Sequence, residues 1–341
     1  MRARKRFLRH LAVLLAALCL PVLGLTGCGP KGRPAAAPLT PAAQKEAEVQ
    51  RELAVQSFYE RVERLNAIAY RLARANEPLC RQRGKSHLTL GLTAEYFTPR
   101  DSKEWFPALC KLWGAEENTI VVTSVMPGGP AAQAGVKRGD IVQAAGGKMF
   151  NIAGKHGSVT RTLDQLSTRG VMVLQLVRAG EQLTVSVPVP VDACDSVFAV
   201  VVGDRVNAYA NGKSVFVTYG IMNLFQKDED LAVVLGHELA HNILGHVRQD
   251  GSGRTVRSSS PEAESEADAV GLYFTARAGF DIKDAPNVWR RLAAQSPGSI
   301  SAVGDHPSTA ARFLGLEAVR DEILMRQAAG LPLIPRPRVA P

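Results

Sequence analysis

His237-Glu238-Leu239-Ala240-His241 sets two imidazoles four residues apart around a carboxylate. On an α-helix, residues four apart are about 40° from each other around the axis, one turn up. Two neutral imidazoles at that spacing can share a tetrahedral Zn2+. Glu238 points about 60° to the side of His241. From there a carboxylate can take a proton from water at the metal rather than bind the metal itself. Such a site needs a third protein ligand. Glu264 and Asp268 stand at i, i+4, on one face of a second helix. Glu264 is the expected third ligand, and Asp268 the carboxylate that fixes the tautomer of a ligand histidine. Glu262 and Glu266 have the same side chain and are assigned to the solvated face. His246 lies nine residues after His237, half a turn from the metal face. It is expected to be structural, or to stand behind a ligand if the helix ends early.

The elements that must position these groups have local signals. Asp228-Glu229-Asp230 opens the first helix with acids in its first turn, and Gly245 follows near its end. Ser260-Pro261-Glu262 opens the second with an N-cap, a proline and an early acid. The segment between, 249–259, carries little apolar content and reads as a loose connector. Upstream, residues 42–76 contain no glycine or proline. Phe58, Val62, Leu65, Ala69 and Leu72 repeat at alternating spacings of four and three. This predicts an amphipathic helix ended by Glu77-Pro78, packed on the domain that follows.

The chain has 341 residues, 46% apolar and 21% charged, with a formal charge of +9. That composition is globular and excludes wholesale disorder. Five uncompensated basic residues precede Cys28, and without them the excess is only +4. No nucleic-acid partner is expected from so small and dispersed an excess. Residues 1–10 form a positive start and 11–25 an apolar run of signal-peptide length. Leu25-Thr26-Gly27-Cys28 then resembles the bacterial lipobox, in which the cysteine is acylated and becomes the mature first residue. The resemblance implies a membrane contact through lipid, with the protein facing the periplasm. Gly29 after the cysteine implies outer-membrane sorting. Of the remaining cysteines, Cys80 and Cys110 are expected to pair and Cys194 to be a buried thiol.

Residues 119–142, with a strand, a Pro-Gly turn, a short helix ended by Gly135 and the Arg138-Gly139-Asp140 turn, resemble a PDZ domain. PDZ domains capture an extended peptide as an added strand and hold its terminal carboxylate on backbone amides. Leu90, Gly91 and Leu92 are the expected carboxylate loop, and residues 93–118 are a long insertion after it. The HExxH pair with the following E-x-x-A-D is similar to the HtpX/BepA-like gluzincin peptidases, a group that includes CAAX prenyl-proteases. Asn207–Lys213 with the strand 214–219 is similar to that family's segment before the zinc helix, and 214–219 is the expected substrate edge. His306-Pro307 with Arg312 is similar to the family's HP-x-x-x-x-R. It implies His306 near the metal as a gate or fourth ligand and Arg312 as an orienting group; the candidates for the oxyanion donor such chemistry needs are His306, Arg312 and Tyr219.

The expected fold class is α+β, with an N-terminal helix, a β-rich PDZ domain and a mainly helical zincin-type domain bearing a small edge-strand sheet. The expected divisions are a leader at 1–27, a Pro-rich linker at 28–41, the helix at 42–77, PDZ at 86–190, peptidase at 191–328 and a tail at 329–341. The expected function is a lipid-anchored endopeptidase holding one Zn2+ per chain. It would cut misfolded envelope or outer-membrane proteins in quality control. The alternative is a PDZ adaptor or chaperone-like lipoprotein with a latent or structural metal site.

Overall fold

The computed structural model describes residues 38–98, 103–114, 116–149, 159–166, 170–188, 191–258, 260–301 and 307–335. Cys28 and His306 lie outside them. The chain begins with a 35-residue helix, α1 (Pro41–Ala75), capped by the Thr40 hydroxyl. A short α2 (Glu77–Arg81) follows directly. The helix packs on more than one neighbour. Its first half sets Val55 and Tyr59 against Ala108, Leu109 and Trp113 of α3 (Phe106–Trp113). Its second half sinks Leu65, Ile68 and Leu72 into the largest apolar core of the molecule. The four-three spacing read from the sequence is the stripe that faces both neighbours.

After the separate strand β1 (Ser86–Thr89), a six-stranded sheet is built from β2 (Leu92–Phe97), β3 (Thr119–Val125), β4 (Ile141–Ala145), β5 (Lys148–Met149), β6 (Met172–Arg178) and β7 (Glu181–Val187). Three helices lie among them in sequence, α3, α4 (Pro130–Gln133) and α5 (Val159–Leu166). The strand order is β2-β3-β4-β6-β7, so β2 is an edge. Strand β1 stays out of this sheet and pairs antiparallel with β8 (Val191–Cys194). The 93–118 insertion supplies most of β2 as well as α3.

That pairing explains a difference from the expected disulfide. Cys194 bonds Cys80, and Cys110 is a free thiol. Register puts Cys194 opposite Ser86, the first residue of β1, with its Cα 5.4 Å from that of Cys80 in α2, and both cysteines are fully buried. Cys110 sits on α3, whose Ala108, Leu109 and Trp113 pack with the other half of α1 in a different core.

The remaining elements surround the larger core. Strands β9 (Val197–Val201), β10 (Ala208–Ala210) and β11 (Ser214–Thr218) form a small sheet in the order β10-β11-β9. The short α6 (Tyr219–Leu224) leads to α7 (Asp228–Leu244). The segment expected to be a loose connector is an antiparallel hairpin, β12 (Val247–Gln249) with β13 (Thr255–Arg257). Beyond it come α8 (Pro261–Arg277), α9 (Asn287–Gln295) and α10 (Thr309–Ala328). A mainly antiparallel sheet fills the middle of the chain and most of the helix lies before and after it, an α+β arrangement. No described helix is long and apolar enough to cross a membrane.

Candidate metal centre

Helices α7 and α8 cross at a glycine pair. A Cβ on Gly271 would lie 2.6 Å from the His237 nitrogen, and one on Gly236 would lie 2.5 Å from the Gly271 carbonyl oxygen. Only bare backbone allows so close an approach. Near the crossing, Thr275 bridges the helices by donating to the Ala232 carbonyl at 3.1 Å. The start of α8 is fixed by the Ser260 hydroxyl, which accepts from Ala263 N–H. The first turns of α8 therefore run alongside the histidine face of α7.

Three side chains meet there. His237 Nε2 and His241 Nε2 face each other at 3.1 Å. Each also lies 3.5 Å from a Glu264 carboxylate oxygen. Ligand atoms about 2.0–2.1 Å from a tetrahedral metal stand roughly 3.3–3.4 Å apart. The three groups match that triangle, and among the described residues they form the one cluster able to hold a metal ion. Glu238 is buried beside them, and its Oε2 has no hydrogen-bond partner among the described residues. A buried carboxylate oxygen without a donor is costly unless something outside the chain fills its place. The donor set and the orphaned oxygen both fit a catalytic metal with its water.

Behind the triangle, Asp268 Oδ1 lies 2.9 Å from His237 Nδ1. Arg312 holds that carboxylate with two bonds, Nε to Oδ2 at 2.8 Å and an Nη to Oδ1 at 2.7 Å, and the same Nη lies 3.3 Å from Glu264. The Trp289 ring covers the guanidinium at 3.5 Å. Burial disfavours charge on His237, but Asp268 outweighs it and raises the imidazole pKa to about 9. His241 goes the other way, lowered chiefly by burial. Burial also pushes the Asp268 and Glu264 carboxyls up. Arg312 and His237 hold Asp268 below its ordinary range, and the two histidines do the same for Glu264. The deep side of the site thus keeps its acids as anions, the form a cation needs.

A cavity of about 690 Å³ opens over this cluster. Its apolar wall includes Val206, Ile221, Val233, Val288 and Leu292. The strand expected as substrate edge, 214–219, is not one. Its residues Ser214–Thr218 form β11, which lies between β10 and β9, so among the described residues β10 is the edge strand whose Ala208 and Tyr209 line the cavity. Sheet order is set by the parallel pairing of β11 with β9, a contact between segments that are not consecutive. Tyr219 does not line the cavity and instead lies under the Arg61 guanidinium.

Sequence reading missed three contributors. Trp289 has no local signal. Asn242 accepts from Gly212 N–H at 2.7 Å and donates to the Ser214 carbonyl at 3.1 Å, tying α7 to the small sheet. Glu266, assigned to the solvated face, instead reaches His246. Glu262 is exposed as expected.

The expected carboxylate loop is placed at the turn from β1 into β2, with Leu90, Gly91 and Leu92 all buried. Its amides are already engaged. Leu90 N–H donates to Asp164 Oδ1 at 3.2 Å, and Gly91 N–H donates to the Thr89 hydroxyl at 3.1 Å. The Thr160 hydroxyl accepts from Ala94 N–H and donates to the Ala94 carbonyl, so α5 is stitched directly to β2.

Residues 174–257, which contain the histidine pair, match peptidase family M48, and residues 121–168 match the PDZ domain. A peptidase M48 domain and a PDZ domain are both present in this chain. The M48 match ends before Glu264, so the third side chain of the triangle is given by the structure. Among curated proteins, the mitochondrial metalloendopeptidase OMA1 of Arabidopsis thaliana is 30% identical over 35% of this chain and 31% of its own length. OMA1 of Schizosaccharomyces pombe is 28% identical over 31% of this chain and 41% of its own. OMA1 of Saccharomyces cerevisiae is 27% identical over 24% and 32%. The chain thus spans between 31% and 41% of the length of these relatives. Among solved structures, the HtrA-type protease AlgW with a decapeptide aligns at 22% identity and a TM-score of 0.24, covering 31% of this chain and 30% of that one. The HtrA3 PDZ domain with a phage-derived ligand aligns at 19% and 0.24, covering 31% and 88%.

Proposed function

We propose that this protein is a zinc-dependent endopeptidase of the bacterial cell envelope, held to the membrane by lipid on Cys28 and acting in protein quality control. The meeting of His237, His241 and Glu264 at 3.1–3.5 Å beside a Glu238 oxygen that no described residue bonds carries the reading. Zn2+ held by those three side chains would supply Lewis acidity for a scissile carbonyl and make water acidic enough to react near neutral pH. Glu238 accepts the proton of the attacking water and returns it to the departing amine nitrogen. Asp268 holds the His237 ring, and Arg312 holds Asp268. An extended substrate adds to the β10 edge and places side chains against the apolar wall, which suits the exposed apolar segments of misfolded polypeptides. Support for the envelope location is confined to the leader and Cys28.

The test is Glu238→Gln at equal zinc content on a reduced, unfolded protein substrate. Cleavage should fall by about 10²–10⁴-fold while zinc is retained. Cleavage at the wild-type rate refutes the assignment. Metabolic labelling with palmitate should be lost in Cys28→Ala, and labelling that persists refutes the anchor.

A further inference from the structure

Asp268 holds only one of the two histidines. The other has a backing of a different kind. Helix α7 stops at Leu244 because Gly245 takes a left-handed conformation, φ 80°. The chain reverses there, and His246 swings back to stand edge-on to His241, with ring centroids 5.2 Å apart. Its backbone is fixed by the hairpin that follows, since Ser258 N–H donates to the His246 carbonyl at 2.7 Å. His246 Nδ1 lies 3.2 Å from His241 Nδ1, and His246 Nε2 lies 3.1 Å from Glu266 Oε2.

Two ring nitrogens at that distance share a hydrogen bond only if one of them carries a proton and the other does not. His241 directs Nε2 at His237 and Glu264. A metal at that point takes the Nε2 lone pair, which leaves the His241 proton on Nδ1. His241 then donates, and His246 must accept at Nδ1. A neutral His246 accepting at Nδ1 carries its proton on Nε2, where the Glu266 carboxylate stands to accept it. One condition assigns every donor and acceptor along the chain, and each has a partner.

We propose that His246, backed by Glu266, is a positioning residue that fixes the tautomer and ring orientation of His241 for the metal. It does for the second histidine what Asp268 does for the first. The relay runs from the buried triangle to the surface, because the Glu266 side chain is 43% exposed where that of Asp268 is 8% exposed. The proposal rests on the metallopeptidase reading above.

The experiment measures zinc affinity by competition with a chromophoric chelator, and the visible spectrum of the Co2+-loaded protein, for wild type, His246→Ala, His246→Asn and Glu266→Gln. Partners behind a metal ligand are typically worth about 10–100-fold in affinity. His246→Ala should lose that much and shift the Co2+ bands. His246→Asn should recover most of it, because the amide oxygen sits where Nδ1 was and can accept from His241. Glu266→Gln should lose less than His246→Ala, since the imidazole remains. Wild-type affinity and spectrum in His246→Ala overturn the proposal, as does a His246→Asn that performs no better than alanine. Should His246→Ala fail to fold, as seen by circular dichroism without metal, the asparagine and glutamine variants decide. An asparagine variant far below wild type, or a Glu266→Gln with wild-type affinity and spectrum, refutes the relay reading. A wild-type protein that binds no zinc overturns the metallopeptidase reading itself, and is distinguished by being seen before any substitution.

Discussion

Removing Cys194 should destabilise the folded protein strongly, and the size of the effect follows from the chain it closes. The bridge joins Cys80 to Cys194 across a sequence separation of 114 residues. Closing a loop of that length in the unfolded chain costs entropy worth about 5 kcal/mol at 25 °C. The bridge imposes that cost on the unfolded state in advance. It also ties the end of α2 to β8, two elements that feed the largest core. Domains of 150–250 residues shift by about 2–4 °C in Tm per kcal/mol. Oxidised Cys194→Ser and Cys80→Ser should therefore melt about 10–20 °C below wild type, an upper range because the unfolded chain is already partly compact. Cys110→Ser should melt with wild type. Differential scanning fluorimetry measures all three, and a reductant should bring wild type down to the level of Cys194→Ser. Alkylation before reduction should label Cys110 and spare Cys80 and Cys194. A Tm change below about 3 °C in Cys194→Ser, or a peptide map linking Cys80 to Cys110, refutes the reasoning.

The PDZ groove should bind C-terminal peptides poorly, because Asp164 already occupies the Leu90 amide. Asp164→Ala should strengthen binding of a peptide ending in an apolar residue by about tenfold, measured by fluorescence anisotropy; equal affinity removes Asp164 from the groove. Glu95 lies between β2 and α1, accepting from the Tyr59 hydroxyl at 2.9 Å. Burial raises its pKa more than the hydroxyls of Tyr59 and Thr123 lower it. Raised in the folded state, it costs nothing while both states are protonated. The unfolded chain loses its proton first as pH rises, so stability is lost from the ordinary carboxyl range up to the folded pKa. Glu95→Gln should therefore raise the urea midpoint at pH 7 and leave it unchanged at pH 4, and a gain confined to pH 4 refutes the account.

The parts of the site that depend on one helix at a time are legible in the sequence. The four-residue spacing of His237 and His241, the i, i+4 pair Glu264 and Asp268, and the Ser260 cap are all set by a 3.6-residue repeat and its ends. The spacing along α1 likewise showed which face is apolar, because a stripe is a property of the helix alone. Tertiary structure decided whatever joins distant stretches or departs from the repeat. His246 is half a turn off the metal face on a continued helix, and reaches His241 only because Gly245 turns left-handed. Arg312 meets Asp268 from a helix 44 residues further on, and Trp289 covers it from a third. The edge of the small sheet at the cavity is β10 and not β11, because β9 pairs in parallel on the other side of β11. Cys80 chose Cys194 over Cys110 because β1 pairs with β8, while α1 carries α3 into a different core. Local periodicity can be read because each residue constrains its near neighbours. Pairing across more than a hundred residues is chosen by the free energy of the whole packed chain, which no single segment encodes.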